Sequence, residues 1–252
     1  MVNLNEASAL STRGLTLSFG ALKVTNEVDF ELAPGARHAL IGPNGAGKTT
    51  FVNLLTGILR PSAGQISLNG VDITTATPEQ RVRHGLGRTF QINSLFRELT
   101  VIENVAMATM ARQGIGHRVF GASSLMERSF EQAYETLCDF DLQHVADKPI
   151  KNIAYGEQRL VEIAIALGLR PKVLILDEPA AGIPSSESHV ILEVLRKLPS
   201  AVSILIIEHD MNLVFQFADR ITVLVQGVVL LTDTPEAVGR DKRVKEVYLG
   251  SR

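Results

Sequence analysis

The chain has 252 residues, 45% hydrophobic and 21% charged, a composition that suits a folded domain and excludes collagen-like, low-complexity and disordered classes. Its 25 Lys and Arg against 27 Asp and Glu leave a formal net charge of -2, so no global field draws it to a polyanion and nucleic acid is not an expected partner. One cysteine, Cys138, excludes an internal disulfide framework and favours a reducing compartment.

Met1 to Leu10 lacks a basic segment followed by a sustained apolar one, so it reads as a polar leader rather than a secretion signal, and the protein is expected in the cytoplasm. Leu15 to Phe19 and Val24 to Leu32 alternate apolar and polar side chains around a turn at Gly20, the pattern of half-buried strands. Arg37 to Ile41 predicts a third strand, which runs through a glycine loop into a helix over Thr49 to Leu59. Gln65 to Leu68 is a further strand, and Thr77-Pro78-Glu79-Gln80 is a capped helix start with proline at the first helical position. From Thr100, whose capping box is closed by Glu103, to about Gln143 the pattern is helical, interrupted by a glycine-bearing loop over Gln113 to Ser124. Helices over Glu157 to Leu169 and from about Ser185 to Leu198 then alternate with strands at Val173 to Leu176 and Ser203 to Ile207, which predicts a parallel sheet. No apolar stretch, Ile204 to Ile207 and Ile221 to Leu231 included, reaches the roughly 20 residues of a membrane-spanning helix, so any membrane role needs a partner.

Gly42-Pro43-Asn44-Gly45-Ala46-Gly47-Lys48-Thr49 fits G-x-x-x-x-G-K-[ST] and sits where that motif must sit, after a strand and before a helix. Glycines let successive amides turn into one concavity, the helix N-terminus adds partial positive charge, Lys48 faces the outer phosphates, and Thr49 offers a hydroxyl to Mg²⁺. Val173 to Leu176 is an apolar strand ending in Asp177 and Glu178. Alone, that ending could be an ordinary helix cap; beside a phosphate loop it suits phosphoryl transfer, with Asp177 toward the metal and Glu178 toward the attacking water. Ala154-Tyr155-Gly156-Glu157 opens an apolar helix and forms a second anion-directed turn. Two such turns in one chain require two nucleotides or a partner chain.

The order phosphate loop, Gln91, glycine signature, Asp177-Glu178, His209 resembles the nucleotide-binding subunit of ATP-binding cassette transporters over nearly the whole chain. The resemblance implies an α/β fold: a P-loop NTPase core with a parallel sheet, an N-terminal antiparallel β subdomain and an α-helical subdomain inserted at about 92–158 within a single domain. It also implies ATP and Mg²⁺ as cofactors and a head-to-tail pairing in which one chain's phosphate loop and the other's signature turn hold each ATP. On that reading Phe19 stacks on adenine. Asn44, Gly45, Ala46, Gly47, Lys48, Thr49 and Thr50 hold phosphates and metal, with Ala154, Tyr155, Gly156 and Glu157 approaching from the partner. Gln91 touches metal and water, Asp177 the metal, Glu178 is the catalytic carboxylate, and His209 contacts the terminal phosphate. The remaining histidines, His38, His84, His117, His144 and His189, show no metal-ligand spacing.

Arg88-Thr89-Phe90-Gln91, the insert from Arg112 to Ser124 and the Tyr248-Leu249-Gly250 ending most resemble one of the two ATPases of branched-chain amino acid importers. That implies transmembrane permease subunits, a second ATPase (the same chain or a sister), a periplasmic or extracellular solute-binding protein, and a peripheral position on the inner membrane face. ATPases of urea or organic-acid importers and of lipopolysaccharide export are close alternatives. A soluble cassette acting on nucleic acid or ribosomes, or a small-molecule kinase, is an alternative of another class. Two positions depart from the family: Ala154 and Tyr155 stand where Ser and Gly are usual, and Pro184 replaces an aspartate, with Ser185 and Ser186 nearby as substitutes.

Overall fold

The computed structural model describes residues 8–89, 95–114, 122–183 and 188–249. β1 (Leu10–Phe19) and β2 (Leu22–Leu32) form an antiparallel hairpin. β4 (Ala63–Leu68) joins the free edge of β1 and β5 (Val71–Asp72) joins β4, giving the order β2-β1-β4-β5. β1 begins five residues before the alternation predicts, at Leu10 rather than Leu15. A register shift between Thr12 and Leu15 breaks the two-residue period there, which hides the inward-facing Leu10 and Thr12 from a pattern reading.

The second sheet contains β3 (Arg37–Ile41), β6 (Leu86–Arg88), β7 (Val173–Asp177), β8 (Ser203–Ile207), β9 (Arg220–Val225) and β10 (Val228–Asp233), in the order β10-β9-β3-β8-β7-β6. All neighbours are parallel except β10, which is antiparallel to β9. Parallel pairing brings the C-terminal ends of β3, β8, β7 and β6 to one edge, where open α/β sheets bind ligands. β3, β7 and β8 are buried almost throughout, as strands covered on both faces must be.

α1 (Lys48–Thr56) starts directly from the phosphate loop and stops at Gly57, whose left-handed φ of 81° ends the helix three residues earlier than the apolar spacing alone suggests. α2 (Pro78–Arg83) has the expected cap at Thr77, which the structure extends to a full capping box with Gln80. It also delivers Arg81, 1% exposed, whose guanidinium donates to the carbonyls of Leu54 and Leu55 at the end of α1 and to those of Thr74 and Ala76. A buried cation at a helix C-terminus is stabilised by the carbonyls it satisfies and by the helix dipole.

Among the described residues, α3 (Val101–Gln113), α4 (Ala122–Asp139) and α5 (Tyr155–Gly168) fill the stretch between β6 and β7, with two short 3-10 turns at Gln143–Val145 and Ile150–Asn152. α3 has the expected Thr100–Glu103 capping box. Its Val101 and Val105 share one apolar cluster with Leu137 of α4, Val161 of α5 and the strand residues Leu174, Leu176, Ile204 and Ile206, so these helices lean on the same core as the sheet. A second cluster on the opposite sheet face joins Leu10, Leu15 and Ile66 of the antiparallel sheet to Phe51, Val52 and Leu55 of α1. α6 (Ser188–Lys197), α7 (Met211–Phe217), α8 (Pro235–Arg240) and α9 (Lys242–Leu249) complete the fold. No helix is long and apolar enough to cross a membrane among the described residues.

Candidate functional site

The phosphate loop is locked from behind. A Cβ on Gly42 would lie 2.2 Å from the Leu224 carbonyl oxygen and one on Gly47 2.8 Å from that of Val24. Gly47, with φ 97°, is the N-cap of α1, and Gly45 has φ 78° with open space around its Cα. Gly227, in the turn between β9 and β10, donates its amide to Ala46 O at 2.9 Å and accepts from Asn26 N at 2.8 Å, which bolts the loop to the antiparallel sheet. Such a cradle admits backbone and excludes side chains, as close approach to a phosphate chain requires. Lys48 Nζ lies across the loop, 2.6 Å from Gly42 O and 3.1 Å from Pro43 O. Burial lowers its pKa, opposed by the charges of Glu178 and Asp177, which places the lysine in the field of both carboxylates. Asn44, Gly45 and Thr49 are exposed, Thr50 is partly buried and Ala46 is buried.

Asp177 ends β7, partly buried, with Oδ2 2.7 Å from Arg88 Nη2. Arg88 also donates to Asn53 Oδ1 of α1 at 2.9 Å, so one guanidinium joins β6, β7 and the helix behind the phosphate loop. Glu178 is exposed and holds φ at 49°, a left-handed conformation that a non-glycine residue keeps only where the surroundings enforce it. Its amide donates to Ile207 O at 2.9 Å, directly tying the turn after β7 to the end of β8. His209 follows β8 with its side chain 66% exposed, its Nδ1 3.8 Å from Oε2 of the buried Glu208. The hydroxyl of Thr49 and the carboxylate of Asp177 are hard oxygen donors of the kind Mg²⁺ takes together with water and phosphate oxygens. Phe19 ends β1 with 54% of its surface exposed, a free aromatic face. Gln91 lies outside the described residues, as do Pro184, Ser185 and Ser186.

α5 begins at Tyr155, two residues before its predicted start, so the glycine signature is the helix's first turn. Ala154 is its N-cap and has no hydroxyl to cap the first-turn amides. Glu157 reaches back to Ala154 N at 2.7 Å and takes His144 Nε2 at 3.0 Å. The unusual tyrosine has a definite place: Tyr155 Oη donates to Ala181 O at 3.1 Å, its ring faces Arg159 at 5.6 Å, and Arg159 Nη2 approaches the same carbonyl at 3.4 Å. Arg159 pairs with buried Glu162 at 2.9 Å, and burial pushes the Glu162 carboxyl up to about 7 against that attraction. The signature turn is thereby tied to the loop that follows Glu178.

Three contributors escaped sequence reasoning: Arg88, Glu208 and Gly227. Arg88 closes a three-residue strand and Glu208 follows the apolar run of β8, single charges whose meaning becomes specific only once sheet order sets those strands beside β7.

Residues 25–181 match the sequence pattern of a family described as ABC transporter. The chain is 40% identical to the high-affinity branched-chain amino acid transport ATP-binding protein LivG of Escherichia coli strain K12, over 96% of this chain and 97% of that protein. It is 36% identical to a probable branched-chain amino acid transport ATP-binding protein LivG of Archaeoglobus fulgidus, over 96% of each. In three dimensions it is similar to the ADP conformation of MJ1267, an ATP-binding cassette of an ABC transporter, with a TM-score of 0.83 and 29% identity, over 97% of this chain and 99% of that one.

Proposed function

The chain belongs to the ABC transporter family, and from that premise we propose that it is the ATP-hydrolysing subunit of an importer for branched-chain, hydrophobic amino acids. The observation that carries the reading is the single sheet edge holding a side-chain-excluding phosphate loop after β3, Asp177 and Glu178 after β7, and His209 after β8. The solute assignment rests on relatives matched over nearly their full length.

ATP enters with its phosphates along the Asn44–Thr50 amides and Lys48, its adenine against Phe19, and Thr49 and Asp177 on the Mg²⁺ side. When bound, Mg²⁺ neutralises charge developing on the transferring phosphoryl group. Glu178 accepts the proton of the attacking water, and His209 and Gln91 contact the terminal phosphate and the water. A second cassette, this chain again or a sister, covers the nucleotide with Ala154, Tyr155, Gly156 and Glu157. The uncapped first turn of α5 suits this task, since its amides replace the hydroxyl that Ala154 lacks. The helical insert at about 92–158 passes closure to transmembrane permease subunits on the inner membrane face, supplied by an external solute-binding protein.

Uptake of labelled leucine into cells with and without this chain tests the reading, with urea and aromatic acids as competitors. Loss of leucine uptake on deletion and recovery with the wild-type chain supports it. Uptake that ignores the deletion overturns the solute assignment.

A further inference from the structure

Glu208 is 1% exposed at the mouth of the sheet, and its contacts are unlike those of a structural carboxylate paired with a basic residue. Oε1 accepts from the amide of Ala180 at 3.0 Å, and Oε2 accepts from the amides of His209 at 3.0 Å and Asp210 at 3.5 Å. Its one basic partner within 4 Å among the described residues is the His209 ring. One desolvated carboxylate thus joins two turns by backbone amides alone, a charge-assisted arrangement stronger than ordinary hydrogen bonds and costly to leave half satisfied.

The two turns are the ones that present the reacting groups. Glu178 sits between two anchors on the end of β8: its own amide donates to Ile207 O, and after Pro179, which has no amide hydrogen, the next amide donates to Glu208. These anchors bracket the left-handed φ of 49° at Glu178. On the other side the His209 amide is held by Glu208, while Asp210 caps α7 by accepting from Asn212 N at 2.9 Å and Leu213 N at 3.3 Å. The backbone of His209 is pinned on both flanks and its ring is left to solvent.

We propose that Glu208 is a positioning residue for ATP hydrolysis, whose buried carboxylate locks the His209 turn to the turn bearing Glu178 so that both reach the terminal phosphate as one unit. The proposal rests on the assignment of Glu178 and His209 to the hydrolytic site. The hydrogen bonds of Glu208 go to the amides of Ala180, His209 and Asp210 rather than to the phosphate loop, so nucleotide capture does not depend on it, whereas turnover does.

The test compares wild type, Glu208→Gln, His209→Ala and the double variant by steady-state hydrolysis of Mg-ATP and by ATP calorimetry. Glutamine keeps the shape but offers a single acceptor oxygen, so it cannot serve the Ala180 side and the His209 side together. The expected result is kcat lowered at least tenfold, KM and ATP affinity within threefold of wild type, and less than a threefold further loss when Glu208→Gln is added to His209→Ala. Retention of wild-type kcat, or a full tenfold loss repeated in the His209→Ala background, overturns the proposal. Glu208→Asp, with the same charge withdrawn by one methylene, takes the same measurements if the glutamine variant does not fold. Wild-type protein that fails to hydrolyse ATP overturns the functional reading itself, and the variants are then not needed to tell the two failures apart.

Discussion

At the scale of single residues, backbone groups hold Lys48, Glu178 and Glu208, while Asp177 is held by the charge of Arg88. Glu178 is exposed and strained, and its backbone is tethered on both sides, its amide donating to Ile207 O and its carbonyl accepting from Ala181 N. Glu178→Gln is therefore expected to keep the fold and ATP binding while turnover falls by about 10²- to 10⁴-fold, the usual contribution of a general base; calorimetry and single-turnover hydrolysis together check it. Lys48→Ala acts on the other side of the reaction and is expected to weaken ATP binding itself, which calorimetry reads directly.

His38 offers a prediction unrelated to catalysis. It is buried between Phe30, 4.9 Å away ring to ring, and Thr222 Oγ1 at 2.8 Å from Nε2, and burial lowers its pKa to about 4, with a smaller push from Arg220. The unfolded chain takes up this proton near the ordinary histidine value of about 6.5 and the folded chain does not. Stability is therefore full above that value and falls as pH drops toward 4, by about 3 kcal/mol at most. Urea unfolding of wild type and His38→Gln across pH 4 to 7 is expected to show a steeper loss in wild type; equal slopes would reject the assignment. The phosphate loop and the Asp177-Glu178 pair were legible in the sequence because each is a contiguous pattern with a chemical meaning. Glu208 and Arg88 were not, because their partners lie 28 and 89 positions away and are brought close by strand order alone.

At the scale of elements, boundaries were misjudged where a local irregularity interrupts a period. β1 contains a register shift, β6 is three residues long, and β9 and β10 lie within one apolar run divided by a turn at Gln226 and Gly227, with φ of 49° and 78°. The Thr77 cap of α2 and the capping box of α3 are legible in the sequence because they are chemistry of neighbouring residues. Tyr155 shows how an element can depart from its family and still be accommodated: the ring that replaces glycine is housed against Ala181 and Gly182. Gly182 has φ 78°, and a Cβ there would sit 2.7 Å from Tyr155 Oη. Gly182→Ala is expected to destabilise by about 1–3 kcal/mol from the backbone conformation plus the clash. Adding Tyr155→Ala should recover the clash portion only, a partial rescue that thermal unfolding of both variants reports.

At the scale of the whole molecule, two anion-directed turns, the phosphate loop and the first turn of α5, belong to different halves of the chain. They are connected through the segment that joins Glu178 to Gly182. Ala180 is held by Glu208 from the sheet, and Ala181 is held by Tyr155 and Arg159 from α5. On the proposed function, this segment links the signature turn that faces a partner's nucleotide to the hydrolytic carboxylate of the same chain. On that same proposal, two cassettes share one nucleotide in a head-to-tail pairing. It is tested most directly by ATP turnover per chain over a thousandfold range of total cassette concentration, with the chain alone and with the second cassette of its transporter. Specific activity that climbs with concentration and then saturates is the predicted result; activity that stays constant to the lowest concentration, with or without the second cassette, would contradict it.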